Sequence, residues 1–226
     1  MAGKPQVKRH SLSDRIVHWA TALSIFLLIF SGIGQMPMYK RYMVADLPGM
    51  AWTANYAITL KMHYLGALVL LAVAAFHVTY SLRAKRFGLL PRRGDLKESV
   101  EIIRAMLTGK PEPPSGKFLA EQRLAYAFIA GTVALLILTG VLKVVKNLGV
   151  SLPYELLWWN TLLHNIGTGL IIFGIIAHLA AFALKPNRPL IKSMFTGTVD
   201  ADYAHHRHPL WKARPAGDEH PDVAAD

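Results

Sequence analysis

The sequence predicts an all-α integral membrane protein: a four-helix bundle with its N- and C-termini cytoplasmic. Two observations place the helices and a third sets their direction. First, 53% of the 226 residues are hydrophobic, concentrated in four stretches nearly free of charge, about 16–36, 62–82, 124–142 and 156–184. Second, a hydrocarbon core of about 30 Å needs about 20 helical residues to cross it, and all four stretches reach or approach that length. Third, Lys and Arg are unevenly placed. Four precede the first stretch, ten separate the second from the third and six follow the fourth, while the other two connections hold three and two. Twenty against five puts the termini and the long middle loop inside the cell by the positive-inside rule. The net charge of +11 is thus a topology signal, with some reach toward anionic membrane lipid, and not the footprint of a nucleic-acid-binding protein.

Residues 1–212 are expected to form one transmembrane domain, with helices at about 16–36, 60–82, 124–145 and 157–184. The basic N-terminus lacks an h-region with a small-residue cleavage site, so the first apolar stretch reads as a retained helix. It ends near S-G-I-G-Q-M-P. The outer loop, 37–60, carries Tyr39, Tyr42, Trp52 and Tyr56, in keeping with an interfacial aromatic belt. After the second helix, Pro91 and Gly94 punctuate the inner loop. D-L-K-E-S-V-E-I-I-R-A-M-L then has apolar residues at helical spacing, which predicts a short amphipathic helix near the membrane surface. K-P-E-P-P-S-G closes this loop. The third helix ends outside at K-V-V-K-N-L-G, and Trp158 and Trp159 open the fourth at the outer interface. The fourth uncharged run is longer than a bilayer requires, which tilt or projection accommodates. Residues 213–226 read as a disordered tail.

The chain contains no cysteine. That excludes disulfides, cysteine-ligated iron–sulfur clusters and C-x-x-C-H haem attachment. The chemistry falls to histidine. His63 and His77 in the second helix, and His164 and His178 in the fourth, share a spacing of fourteen residues. Fourteen helical residues rise about 21 Å and fall about 40° short of four full turns, so each pair points to nearly one face, one member toward each membrane surface. His63 and His164 lie at the outer level; His18, His77 and His178 lie at the inner level. An ionisable side chain inside a membrane helix is a functional hypothesis by default. A lone histidine bonding a carbonyl is ordinary, but five at two matching depths are not. Zinc would want cysteines or carboxylates beside them. A proton relay would want Asp or Glu in the helix cores, and there are none. Two haem b groups packed between the helices, each iron held by two imidazoles, fit better. Gly32, Gly66, Gly167 and Gly169 lie level with the outer histidines. Each is also explained by ordinary membrane-helix packing.

At this point the chain resembles the dihaem cytochrome b (gamma) subunit of membrane-bound respiratory formate dehydrogenase, related to the b-type cytochromes of hydrogenases and thiosulfate or polysulfide reductases. The likeness covers about residues 13–212. D-R-I-V-H-W at 14–19, F-S-G-I at 30–33, M-H-Y-L-G at 62–66, L-I-L-T-G at 136–140, the fourth-helix H-x13-H and G-T-V-D-A-D-Y-A-H-H-R-H-P-L-W at 197–211 follow the family's order. The resemblance implies two axial pairs: His63 and His164 for the outer haem, His18 and His178 for the inner one. It implies an iron–sulfur partner subunit delivering electrons outside and a catalytic subunit with molybdenum or tungsten. Quinone would be reduced near the inner haem with protons from the cytoplasm. The chain would then be a multi-pass bacterial inner-membrane subunit of an oxidoreductase, with no substrate dehydrogenase site of its own.

Two departures stand out. Residues 116–123 read G-K-F-L-A-E-Q-R where the family often has G-K-Y-N-A-G-Q-K, which unsettles quinone contacts there. His77 is not an expected family ligand; because the second and fourth helices run the same way, it is an alternative partner for His178 or a neighbour of the inner haem. The intact D-R-I-V-H-W favours His18. Arg15 is expected near a haem propionate or the quinone, and Asp14 on a proton path. His205, His206 and His208 form either a docking segment, on the resemblance, or a solvated tail. A different class of function, a membrane scaffold or transporter binding a non-haem metal or protons, predicts no haem spectrum at all.

Overall fold

In the computed structural model, which describes residues 5–213 and 215–216, the helices begin and end at local signals. In chain order the elements are β1 (Gln6–Lys8), α1 (Leu12–Gly34), α2 (Pro37–Arg41), α3 (Tyr56–Arg83), α4 (Asp95–Thr108), α5 (Ala120–Asn147), α6 (Tyr154–Ala180), α7 (Arg188–Thr196), β2 (Thr198–Asp200) and α8 (Ala201–Arg207). Ser11 and Asp14 form a reciprocal cap on α1: Ser11 N donates to Asp14 Oδ2 at 2.9 Å, and Asp14 N to Ser11 Oγ at 3.1 Å. Asn55 Oδ1 accepts Ala57 N at 3.0 Å and starts α3. Gln122 Oε1 accepts Leu119 N at 3.2 Å and starts α5. Each cap sits upstream of its apolar run, so these helices begin about four residues earlier than hydropathy alone suggests. Four helices, α1, α3, α5 and α6 with its short 3-10 extension, are 23, 28, 28 and 30 residues long and apolar enough to cross a membrane. The protein is all-α in class, as expected, apart from one small sheet.

The chain divides into two units. Residues 16–79 make the first, in which α1 and α3 meet through small residues: a Cβ on Gly66 would stand 3.1 Å from Leu28 Cγ, and one on Gly34 would stand 3.2 Å from Thr59 Cγ2. The connection between them is pinned by Tyr39, whose hydroxyl lies 2.7 Å from Thr53 Oγ1, and leaves Met38, Tyr42, Met43 and Leu47 exposed.

The second unit joins the N-terminal arm to everything after residue 79. Here α5 and α6 pack closely, Gly167 against Leu136 and Gly174 against Phe128, each at 3.0 Å from a built Cβ. The arm and the C-terminal segment pair as antiparallel β1 and β2, in the register Gln6↔Asp200, Val7↔Val199 and Lys8↔Thr198. Val7, Val199, Ala204 and Trp211 bury a small core beneath them. Gly197 makes the turn into β2 with φ +84; its own Cβ would fall 2.9 Å from His10 O, so no other residue fits without strain. Of the tail expected to be disordered, Pro215 bridges Val7 and Ala216 N reaches Gln6 O at 2.9 Å; residues 214 and 217–226 lie outside the described residues. The amphipathic helix is α4. Its Ile102 packs with Leu119 and Ala120, and Asp95 binds Arg123 through two hydrogen bonds of 2.8 and 2.6 Å. Leu96, Val100, Ile103 and Leu107 form a second, exposed apolar stripe, the face that a helix lying on a bilayer surface requires.

Candidate functional site

His63 and His164 each meet a hydroxyl on a neighbouring helix. In the first unit, Ser31 Oγ on α1 lies 3.0 Å from His63 Nδ1 on α3. The same hydroxyl lies 2.6 Å from Leu27 O. A carbonyl only accepts, so the serine proton goes to Leu27, and the contact with the ring is Nδ1–H donating to Oγ. The lone pair of His63 is therefore on Nε2. Gly32 follows: a Cβ there would lie 3.3 Å from His63 Cε1, so the glycine clears the edge of the ring.

In the second unit the arrangement recurs. Thr139 Oγ1 on α5 lies 2.8 Å from His164 Nδ1 on α6 and 2.8 Å from Leu135 O, which again puts the ring proton on Nδ1 and the lone pair on Nε2. Gly140 follows Thr139, and a Cβ there would lie 3.7 Å from His164 Cε1. The carbonyl of each hydroxyl residue also accepts from a side-chain amide, from four residues on in one case and from the facing helix in the other. Gln35 Nε2 donates to Ser31 O at 3.1 Å, and Asn160 Nδ2 donates to Thr139 O at 3.0 Å. Both histidines thus present the tautomer that a metal-ligating imidazole needs, and the residues fit haem ligation through Nε2.

Further along the same helices, His77 is half-buried on α3, fourteen residues after His63, while His178 is exposed on α6, fourteen after His164. The His18 ring meets the edge of Trp19 at 5.1 Å, and His178 meets Phe182 at 5.5 Å. Arg15 donates from Nη1 to Phe195 O. Asp14, expected on a proton path, is engaged by Arg86 at 2.7 and 2.8 Å as well as by the cap. Among the described residues, no three His, Cys, Asp or Glu side chains gather as a metal-binding group.

The three C-terminal histidines do not act as one cluster. His205 and His206 are exposed, whereas His208 is fully buried. Its Nδ1 donates to Gly116 O at 2.7 Å, and its Nε2 lies 3.3 Å from Arg9 Nη1. Arg9, itself buried, donates from Nη2 to Lys117 O at 2.9 Å. Arg123 Nη1 donates to Phe118 O at 2.7 Å. The carbonyls of the divergent 116–118 loop are thus spent on holding the arm, the loop and the tail together. The hydroxyls beside the two rings were not legible as site groups in the sequence, although Ser31 lies in F-S-G-I and Thr139 in L-I-L-T-G; the shared signal is a hydroxyl residue followed by glycine.

Residues 9–197 match the family model of prokaryotic cytochrome b561. The chain is also 22% identical over 218 residues to the formate dehydrogenase, nitrate-inducible, cytochrome b556(Fdn) subunit of Escherichia coli (strain K12), covering 93% of this chain and 92% of that one. The same figures hold for the Shigella flexneri protein of that name. The formate dehydrogenase cytochrome b556 subunit of Haemophilus influenzae is 22% identical over 214 residues, 91% of this chain and 82% of the relative.

Proposed function

This chain belongs to the prokaryotic cytochrome b561 family, and from that premise we propose that it is a dihaem b subunit linking an external iron–sulfur partner to quinone in a complex of the formate dehydrogenase kind. The coarser part needs no proposal: it is a multi-pass bacterial inner-membrane b-type cytochrome, an electron-transfer subunit of an oxidoreductase, with haem b as cofactor. The finer reading assigns His63 and His164 to the outer haem and His18 and His178 to the inner one. The observation that carries it is the paired setting of His63 and His164, each with Nδ1 bonded to a hydroxyl and its lone pair on Nε2.

Haem b supplies one-electron carriage when bound. The chain supplies ligation, spacing and exclusion of water. Histidines fourteen residues apart on α3 and on α6 set two levels about 21 Å apart along each helix. The apolar helices keep water and protons off that route. Arg15, one turn before His18 on α1, offers positive charge to a propionate or to quinone. Quinone is reduced at the inner level, with protons from the cytoplasm. The partners in this reading are an iron–sulfur subunit and a molybdenum or tungsten catalytic subunit, as the family resemblance implies.

Axial-ligand variants test this, read by reduced-minus-oxidised spectra and haem content of the purified chain. His63→Ala and His164→Ala should each lose one haem and keep the other. His18→Ala should lose the remaining one or turn it high-spin, and His77→Ala should keep both low-spin. Retention of two haems in the His63 and His164 variants would sink the outer assignment. Haem loss on His77→Ala with retention on His18→Ala would move the inner ligand to α3.

A further inference from the structure

The geometry points to Ser31 and Thr139 as a matched pair of positioning residues, which set the tautomer and electron-donating power of the two outer imidazoles. The inference rests on the reading of His63 and His164 as axial ligands, and it concerns groups to which that reading assigns no role.

Three observations on the two helix pairs carry it. The hydroxyls stand within hydrogen-bond distance of Nδ1, at 3.0 Å from His63 and 2.8 Å from His164. Each hydroxyl proton is already committed to the carbonyl four residues back, Leu27 O at 2.6 Å and Leu135 O at 2.8 Å. An oxygen whose proton is used can only accept, so each imidazole must donate Nδ1–H. Third, the backbone carbonyl of each hydroxyl residue is held by a side-chain amide, from Gln35 in one pair and Asn160 in the other. The hydroxyl residue is thus anchored at both its Oγ and its carbonyl.

Ser24 and Thr132 show what the same residue types do otherwise. They return their protons to Ala20 O at 2.7 Å and Phe128 O at 2.8 Å, which satisfies a hydroxyl in an apolar helix. At Ser31 and Thr139 that ordinary back-bond gains a direction: it turns a group that could donate into one that must accept. Donation of Nδ1–H raises the basicity of the ligating nitrogen. A more basic ligand favours the oxidised iron, so both hydroxyls hold the outer haem at a lower potential than apolar neighbours would. Because both hydroxyls accept from Nδ1, both imidazoles would be tuned in the same direction toward a bound haem iron.

The test uses the full-length protein in membranes or detergent with Ser31→Ala, Thr139→Val and the double variant. Haem content, low-temperature electron paramagnetic resonance and potentiometric titration are the readouts. Each single variant should retain two haems and raise the midpoint of one of them, with a shifted g-value for that haem alone. The double variant should move it further. Ser31→Thr and Thr139→Ser keep the hydroxyl and should restore the wild-type midpoint. If Ser31→Ala sheds the outer haem, Thr139→Val, which preserves side-chain shape, carries the measurement. Unchanged midpoint and g-value in Thr139→Val with both haems bound would overturn the inference, while haem loss in His63→Ala and His164→Ala would still uphold the ligand assignment. A midpoint that Thr139→Ser does not restore would overturn it as well, since packing alone would then account for the shift.

Discussion

His208 shows what a single buried side chain commits to. Its Nδ1–H goes to Gly116 O and its Nε2 faces the Arg9 guanidinium, so only the neutral ring satisfies both contacts. Burial first, and the Arg9 charge next, push it down to about 4, while burial draws Arg9 down to about 10, still protonated at neutral pH. A free histidine titrates near about 6.5. As pH falls below that value the unfolded segment takes up a proton and the folded one does not, so folding of this layer weakens progressively until about 4. The Arg123 hydrogen bonds hold Asp95 below the usual carboxylate range. Its contribution is therefore lost only as pH falls below about 4, under the His208 window. Hydrogen exchange across 205–211, corrected for intrinsic pH dependence, should rise between pH 6.5 and 4 in the wild type. His208→Gln keeps a donor for Gly116 and an acceptor for Arg9 without a titrating ring, and should flatten that rise. Identical acid profiles for the two proteins would remove His208 as the cause.

At the scale of elements, α4 is tied to α5 by one buried ion pair. Asp95 accepts from Arg123 Nε and Nη2 and also from Arg92 N at 2.8 Å, which closes the turn just before its helix. Removing one member of a buried pair strands the other charge and costs about 3–5 kcal/mol. Asp95→Ala should therefore lower the thermal stability of the detergent-solubilised protein by about that much, and Asp95→Ala with Arg123→Leu should recover most of the loss. A single variant as stable as the wild type would show that Arg123 finds an adequate partner in Glu98, now 3.5 Å away. The elements were unequally legible in the sequence. The membrane helices announced themselves by length and lack of charge, and α4 by its period. Strands β1 and β2 did not, because three residues carry no pattern and their pairing spans about 190 positions. The histidines were legible from spacing, since an ionisable group in an apolar run is conspicuous. Ser31 and Thr139 were not, because a hydroxyl that merely back-bonds, such as Ser24, leaves the same trace in a sequence.

For the whole molecule, the two termini share one side. β1 and β2 pair directly, Leu210 N bonds Ser115 O at 3.1 Å, and Arg207 Nη2 lies 3.3 Å from Glu112 Oε2. The N-terminal arm, the middle loop and the C-terminal segment therefore form one layer, and an even number of spans requires the same. That layer carries the segments holding twenty of the twenty-five Lys and Arg residues. Orientation during insertion follows Lys and Arg near the helix ends, and here every segment of the layer votes alike, so the layer should face the cytoplasm. The exposed Leu96–Leu107 stripe of α4, flanked by Lys97 and Arg104, then meets the anionic inner leaflet, where each basic residue adds about 1 kcal/mol of attraction. A reporter fused after Asp226 should be active only if it is of the kind that works in the cytoplasm, and one fused within the 37–55 connection only if it works after export. Robust activity of an exported reporter at the C-terminus would reverse the protein. The inner histidines would then face the outside, and protons for quinone would have to come from there.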